Sequence, residues 1–100
     1  MLDRDSQILL WVDFTTKRGK VVDYVLVLMV VSLSGVKTVR IYDSAHGYNE
    51  MHRYTTDGEK QPGERFHSGT IGEGMRVAIK DVEDGHLNMI EGWSGRTNDF

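Results

Sequence analysis

The feature that most constrains this chain is an almost wholly apolar run from Val21 to Leu33, VVDYVLVLMVVSL. Valine recurs along the run, and its β-branched side chain loses rotamer freedom in a helix but packs well on a pleated sheet. The run therefore predicts a long strand at the centre of a sheet. Its length and apolarity further predict that this strand is covered on both faces or bent by a bulge.

Three other segments alternate with the two-residue period of a half-buried strand. Together with the apolar run they predict four strands, at about residues 7–15, 20–33, 36–43 and 48–55. Polar segments that contain glycine separate the strands, and Lys17–Lys20 predicts the tip of the first hairpin. Residues 59–69 hold the only proline of the chain and two glycines, and they predict a loop.

The sequence period changes after this loop. Thr70 and Glu73 have the spacing of a capping box, in which each side chain bonds the backbone N–H of the other residue. Apolar residues then recur at intervals of three and four, which predicts a helix over about 71–92. The stripe consists of Met75, Ala78, Ile79, Val82, His86, Met89, Ile90 and Trp93. Because His86 lies in this stripe, we expect its side chain to be satisfied in the core or at its edge. Residues 94–100 are predicted to form a frayed tail.

This order of elements predicts one α+β domain over residues 1–100, a four-stranded antiparallel meander with the C-terminal helix packed on one face. The absence of cysteine excludes disulfides, thiol catalysis and thiolate zinc sites. A net charge of -3 excludes a basic surface over the whole molecule. No apolar run approaches the roughly 20 residues that span a bilayer, and the acidic start lacks the basic region of a signal peptide. We therefore expect a cytoplasmic protein without membrane contact.

Ionisable and aromatic side chains concentrate around the third predicted turn. Arg40 and Tyr42 share one face of their strand, and His52 and Tyr54 share one face of the next. If the two strands form a hairpin, these faces can meet across the pair, with His46 at its corner. That arrangement predicts a single patch of two imidazoles, two phenols and a guanidinium.

Such a patch suits cleavage of RNA without a metal or other cofactor. One of the imidazoles of His46 and His52 can take the proton of the 2′-hydroxyl while another group protonates the leaving oxygen. Arg40, with Arg53 as the alternative, can bind the phosphate and stabilise its developing charge. The two tyrosines of the patch offer stacking faces for unpaired bases.

Other interpretations of the same residues stay open. His46 can simply cap a turn, and His52 and Tyr54 can be ordinary residues of a solvated sheet face. Asp43, His46 and His52 can converge on a first-row metal ion, although their spacing matches no known ligand motif. His67, in the predicted loop, can cover the patch as a further substrate-binding residue or decorate the surface.

The run from Arg40 to Gly47, RIYDSAHG, followed by His52-Arg53-Tyr54, resembles the TumE-type toxins of prokaryotic type II toxin–antitoxin systems. The resemblance follows the element order over about residues 21–93. It carries over to Arg40, Asp43, Ala45, His46 and His52. Ser44 stands where the family usually has asparagine, and the family's dense histidine run is thinned here.

The resemblance implies a growth-inhibiting toxin, with a cognate antitoxin protein as partner and RNA as substrate. Asp43 would then orient His46 or fix the turn. The alternative function is a non-enzymatic protein-binding or dimerisation module, and the sequence leaves a homodimer open.

Overall fold

The computed structural model describes residues 6–95, which form one antiparallel sheet and one helix. The elements are β1 (Gln7–Lys17), β2 (Lys20–Ser32), β3 (Gly35–Asp43), β4 (Asn49–Arg53), β5 (Glu64–His67) and α1 (Ile71–Ser94). The strands lie in the order β1-β2-β3-β4-β5, so each is hydrogen-bonded to its neighbour in sequence. The predicted α+β class and antiparallel meander are confirmed.

The sheet has five strands, and the prediction of four was wrong. The fifth strand, β5, lies in the segment 59–69 that was predicted to be a loop, and it pairs with β4. Its four residues show no two-residue alternation of burial, and Pro62 and Gly63 precede it directly. A strand this short owes its conformation to the free edge of β4, and that edge is a tertiary feature.

The core lies between β2 and α1. Alternate residues of β2 (Tyr24, Leu26, Leu28 and Val30) are buried under the helix, as the strand period requires. The register of β2 with β1 shifts between Thr15 and Thr16, where β2 has the extra residue Val22, and this irregularity matches the bulge predicted in this strand. Among the described residues, α1 covers only one face of β2, so of the two predicted alternatives, cover on both faces or a bulge, the structure shows the bulge.

Helix α1 begins as the sequence indicates. The Thr70 side chain accepts a hydrogen bond from the Glu73 amide at 3.1 Å, and the Glu73 carboxylate accepts one from the Thr70 amide at 2.7 Å. His86, in the apolar stripe, places Nδ1 2.9 Å from the carbonyl of Val82 one turn earlier. The helix continues to Ser94, two residues beyond the predicted end, and residues 96–100 of the predicted tail lie outside the described residues.

A buried asparagine ties the start of α1 to the sheet. Asn49, only 1% exposed, accepts a hydrogen bond from the Tyr24 hydroxyl at 2.8 Å. Its amide nitrogen lies 3.2 Å from the carbonyl of Gly69 and 3.1 Å from that of Thr70. These contacts fix the connection between β5 and α1. Burial, followed by the nearby Asp43 carboxylate, raises the pKa of Tyr24 and keeps its hydroxyl protonated as a donor.

Across residues 6–95, no helix combines the length and the apolarity that crossing a bilayer requires.

Candidate active site

The turn between β3 and β4 holds His46 at the end of the sheet. Asp43 accepts a hydrogen bond from the Ala45 amide at 3.1 Å, and the Gly47 amide donates to the Ser44 carbonyl at 2.9 Å. Gly47 has a φ of 84°, in the left-handed region that glycine adopts without a steric penalty. Asp43 therefore fixes the turn, which was one of its two predicted roles.

The carboxylate of Glu50 is the centre of the site. Its Oε1 lies 3.0 Å from Nδ1 of His46 and 3.1 Å from Nε2 of His52. Its Oε2 accepts a hydrogen bond from the Tyr48 hydroxyl at 3.2 Å. A side chain at Gly63 would overlap this carboxylate, so the loop before β5 closes tightly over it. Glu50, rather than Asp43, orients His46.

These contacts favour the ionised form of Glu50. The hydrogen bond from His46, followed by those from His52 and Tyr48, lowers the pKa of the carboxyl below its ordinary value of 4.5, against the opposing effect of burial. An ionised carboxylate can only accept hydrogen bonds. The His46 nitrogen that faces Glu50 is therefore the protonated one.

The two imidazoles differ in whether they have a ring nitrogen free to contact a substrate. The His52 side chain is 10% exposed and also places Nδ1 3.0 Å from the Gln61 carbonyl, so both of its nitrogens are engaged. The His46 side chain is 65% exposed, and its Nε2 has no hydrogen-bond partner among residues 6–95. With Nδ1 holding the proton, Nε2 of His46 is a basic nitrogen open to solvent.

The ring of Tyr48 lies beside this imidazole, and a cation stacks on that ring. The Arg65 guanidinium stacks 3.9 Å above the centre of the Tyr48 ring, and the His46 and Tyr48 ring centres are 6.1 Å apart. Arg65 is paired with Glu50 in the register of β4 and β5, which places both residues on the same face. A cleft of about 510 Å³ lies next to Tyr48 and Arg65, and His67 is also part of its lining.

The predicted grouping of Arg40 and Tyr42 with His52 is wrong. In the hairpin of β3 and β4, Arg40 pairs with Arg53 and Tyr42 pairs with Met51, while His52 pairs with Ile41. Arg40 and Tyr42 therefore project towards α1, on the opposite face from His52.

Burial also removes Tyr42 from contact with any substrate. Tyr42 is 1% exposed, accepts a hydrogen bond from Arg40 at 3.2 Å and packs edge-on against Phe66. Burial raises the pKa of Tyr42, and the hydrogen bond from Arg40 offsets part of this increase. The pair of residues predicted to hold phosphate and base is thus part of the interior beneath α1.

The remaining predicted residues lie around the edge of β4. Arg53 forms an ion pair with Glu64 of β5. The Tyr54 amide donates to the Val39 carbonyl at 3.1 Å, just beyond the end of β4. His67 ends β5 and lines the cleft, and its Nε2 is buried without a hydrogen-bond partner among the described residues.

Sequence reasoning missed three residues of the site: Glu50, Tyr48 and Arg65. A signal for the first two was present, because Tyr48, Glu50 and His52 alternate along one strand and so share a face. No signal identified Arg65, because its position depends on β5. Within residues 6–95, no group of three or more His, Cys, Asp or Glu side chains is placed to hold a metal ion.

The fold and the site define a small α+β protein, an antiparallel meander that carries a solvent-open histidine held by a buried carboxylate. Residues 1–98 match a family described as a domain of unknown function, DUF7718, and the chain therefore belongs to that family. Searches of the curated proteins and of the solved structures returned no match.

Proposed function

We propose that this protein is a metal-independent endoribonuclease whose acid–base residue is His46. The supporting observation is the hydrogen bond between Nδ1 of His46 and Glu50, which leaves the basic Nε2 in solvent. A carboxylate in this position fixes the imidazole tautomer and stabilises the imidazolium that forms when Nε2 takes a proton. This is the arrangement that a general base requires.

The chemistry follows from the groups around that nitrogen. Nε2 of His46 takes the proton of a ribose 2′-hydroxyl, and the 2′-oxygen attacks the adjacent phosphorus. The bond from phosphorus to the 5′-oxygen breaks, and that oxygen leaves with a proton from water. The products are a 2′,3′-cyclic phosphate and a 5′-hydroxyl end, and the imidazolium returns its proton to solvent.

Arg65 takes the phosphate-binding role that was predicted for Arg40. Its guanidinium is held against the Tyr48 ring and carries the charge that stabilises the transition state. In this proposal His52 positions the Glu50 carboxylate, because both of its ring nitrogens are engaged. With one arginine at the site and a net charge of -3, RNA binding should depend weakly on salt.

The biological role that we propose is that of the toxin in a type II pair, acting in the cytoplasm and neutralised by an antitoxin protein that covers His46. Support for this role is the RIYDSAHG run and the exposure of its histidine. Expression in a bacterial host should stop growth, and co-expression of the neighbouring gene should restore it. Unimpaired growth on expression of the soluble chain would contradict the toxin role.

The test of the chemistry is cleavage of a labelled RNA in the presence of EDTA. Wild type should produce cyclic-phosphate ends, and His46→Gln should reduce the rate at least a hundredfold. Arg65→Gln should reduce it as well. His86→Gln and Arg76→Gln, both on α1, serve as controls and should retain activity.

Retention of the wild-type rate by His46→Gln would overturn the assignment. Absence of cleavage by wild type would leave the alternative predicted from sequence, a non-enzymatic binding module.

A further inference from the structure

The face of the sheet opposite α1 carries an apolar strip that no element of residues 6–95 covers. Leu26 and Leu28 of β2 are buried under α1, so the residues that alternate with them project from the opposite face of the sheet. Residues of β1 and β3 that pair with those alternate residues project from the same opposite face. The apolar strip consists of Leu9, Trp11, Val25, Val27, Met29 and Ile41.

The apolar strip is separate from the core. Leu9 is 44% exposed and Trp11 is 51% exposed, and none of the six residues packs against the cluster beneath α1. Contiguous apolar surface of this kind on a small protein marks an interaction site more often than scattered single side chains do. Exposed aromatic residues such as Trp11 frequently dominate binding at such sites.

Carboxylates border one end of the apolar strip. Asp13, Val25 and Asp43 follow one another across β1, β2 and β3 in the same register row. A cleft of about 200 Å³ lies at this end and is lined by Asp13, Asp23 and Asp43, among others. Asp43 and Asp23 accept hydrogen bonds from within the chain, whereas Asp13 is exposed at the sheet edge. A cationic side chain would complement this cleft.

The dimensions of the apolar strip favour a helix as its occupant. From the Asp13 row to the Leu9 row the strip spans four residue steps, roughly 13 Å at about 3.3 Å per residue. A helix of about nine residues has this length. The acidic cleft at the end of the strip favours a helix that carries a cation there over a second copy of the chain, whose own strip ends in the same carboxylates.

We propose that the apolar strip binds an amphipathic helix of a partner protein, with the helix's apolar side on Trp11 and a lysine or arginine at one end in the cleft lined by Asp13. Such a helix completes a three-layer arrangement, since α1 already covers the other face of the sheet. This inference does not rest on the chemistry of His46.

The test uses a synthetic 14-residue amphipathic peptide with leucines at i, i+3, i+4 and i+7 and two lysines in its last turn. Binding is followed by the fluorescence of Trp11, because the second tryptophan, Trp93, is buried in the core. We expect a saturable blue shift that is absent in Trp11→Phe. Leu9→Ser and Asp13→Asn should each weaken binding at least tenfold.

Matched controls separate this surface from the rest of the molecule. Leu87→Ser replaces a leucine on α1 that is 65% exposed, and it should bind the peptide as wild type does. His46→Gln should also bind normally, so failure of the ribonuclease proposal and failure of this one are distinguishable.

Three results would overturn the inference. They are the absence of a Trp11 shift, equal binding of a control peptide with glutamates in place of the lysines, and a dimer in sedimentation that Leu9→Ser converts to a monomer. The last result would identify a second copy of the chain as the occupant.

Discussion

Nδ1 of His46 lies 3.0 Å from Oε1 of Glu50, and this one contact joins an exposed imidazole to a buried carboxylate. The same oxygen lies 3.1 Å from Nε2 of His52, which is buried. One carboxylate therefore holds two histidines in different surroundings. That difference gives the two histidines separable effects on stability and activity.

Replacement of each histidine by alanine should separate these effects. His52→Ala leaves Glu50 and the Gln61 carbonyl without their partner in a buried setting, and we expect a loss of about 2 kcal/mol or more in the free energy of unfolding. His46→Ala breaks a contact whose imidazole is exposed, and we expect no more than about 1 kcal/mol. Urea denaturation measures both, and equal losses would contradict the assigned burial.

The stability of the protein in acid should depend on Glu50. Because the folded-state pKa of Glu50 lies below its ordinary value of 4.5, the carboxylate stabilises the fold fully above pH 4.5, and this contribution is lost as the pH falls through the lower, folded-state pKa. Glu50→Gln lacks this contribution at every pH. The stability difference between wild type and Glu50→Gln should therefore shrink as the pH falls below 4.5.

Denaturation curves collected between neutral pH and pH 2 test this expectation. In His46→Ala the largest cause of the lowered pKa is removed, so the loss of stability should begin at a higher pH than in wild type. Wild-type and Glu50→Gln stabilities that stay parallel throughout this range would show that Glu50 does not titrate in the way described.

Two glycines of α1 should respond to alanine in opposite directions. A methyl group at Gly74 would overlap the side-chain amide of the buried Asn49, and we expect a loss of about 1–3 kcal/mol. A methyl group at Gly85 would lie 3.6 Å from the terminal methyl of Met89, an ordinary contact. Gly85→Ala should therefore stabilise the protein by roughly 1 kcal/mol, because alanine is the better helix former.

Thermal unfolding of the two alanine variants measures the contrast, and each serves as the control for the other. A gain in melting temperature for Gly74→Ala would contradict the close approach of α1 to β4.

The first turn of α1 should depend on the Thr70 hydroxyl. Thr70→Ala removes the acceptor for the Glu73 amide and should cost about 1 kcal/mol. Thr70→Ser keeps an equivalent oxygen and should remain close to wild type. Circular dichroism during urea denaturation measures both, and similar losses in the two variants would show that the hydroxyl does not cap the helix.

Most of the fold could be predicted because it follows from local patterns. Alternation identified β1, β3 and β4, and a valine-rich apolar run identified β2. A stripe at helical spacing identified α1, and the Thr70–Glu73 capping box marked its start. Strand β5 could not be found in this way, because its four residues lack a period and are ordered by pairing with β4.

The residues that meet in the candidate site depend on the register of β3 with β4, which local sequence patterns do not contain. The prediction placed Arg40 and Tyr42 opposite His52 and Tyr54, whereas Arg40 pairs with Arg53. The difference is one residue of register, and a shift of one residue exchanges the faces of a strand.

The amino-acid sequence by itself determined β1 to β4 and α1, their order and the residues of β4 that share a face, because side-chain periods of two and 3.6 residues are properties of the local backbone. The tertiary structure decided which face of β3 meets which face of β4, because the turn that contains His46 sets the register. It thereby buried Tyr42, brought Glu50 to His46 and left Trp11 on an uncovered face.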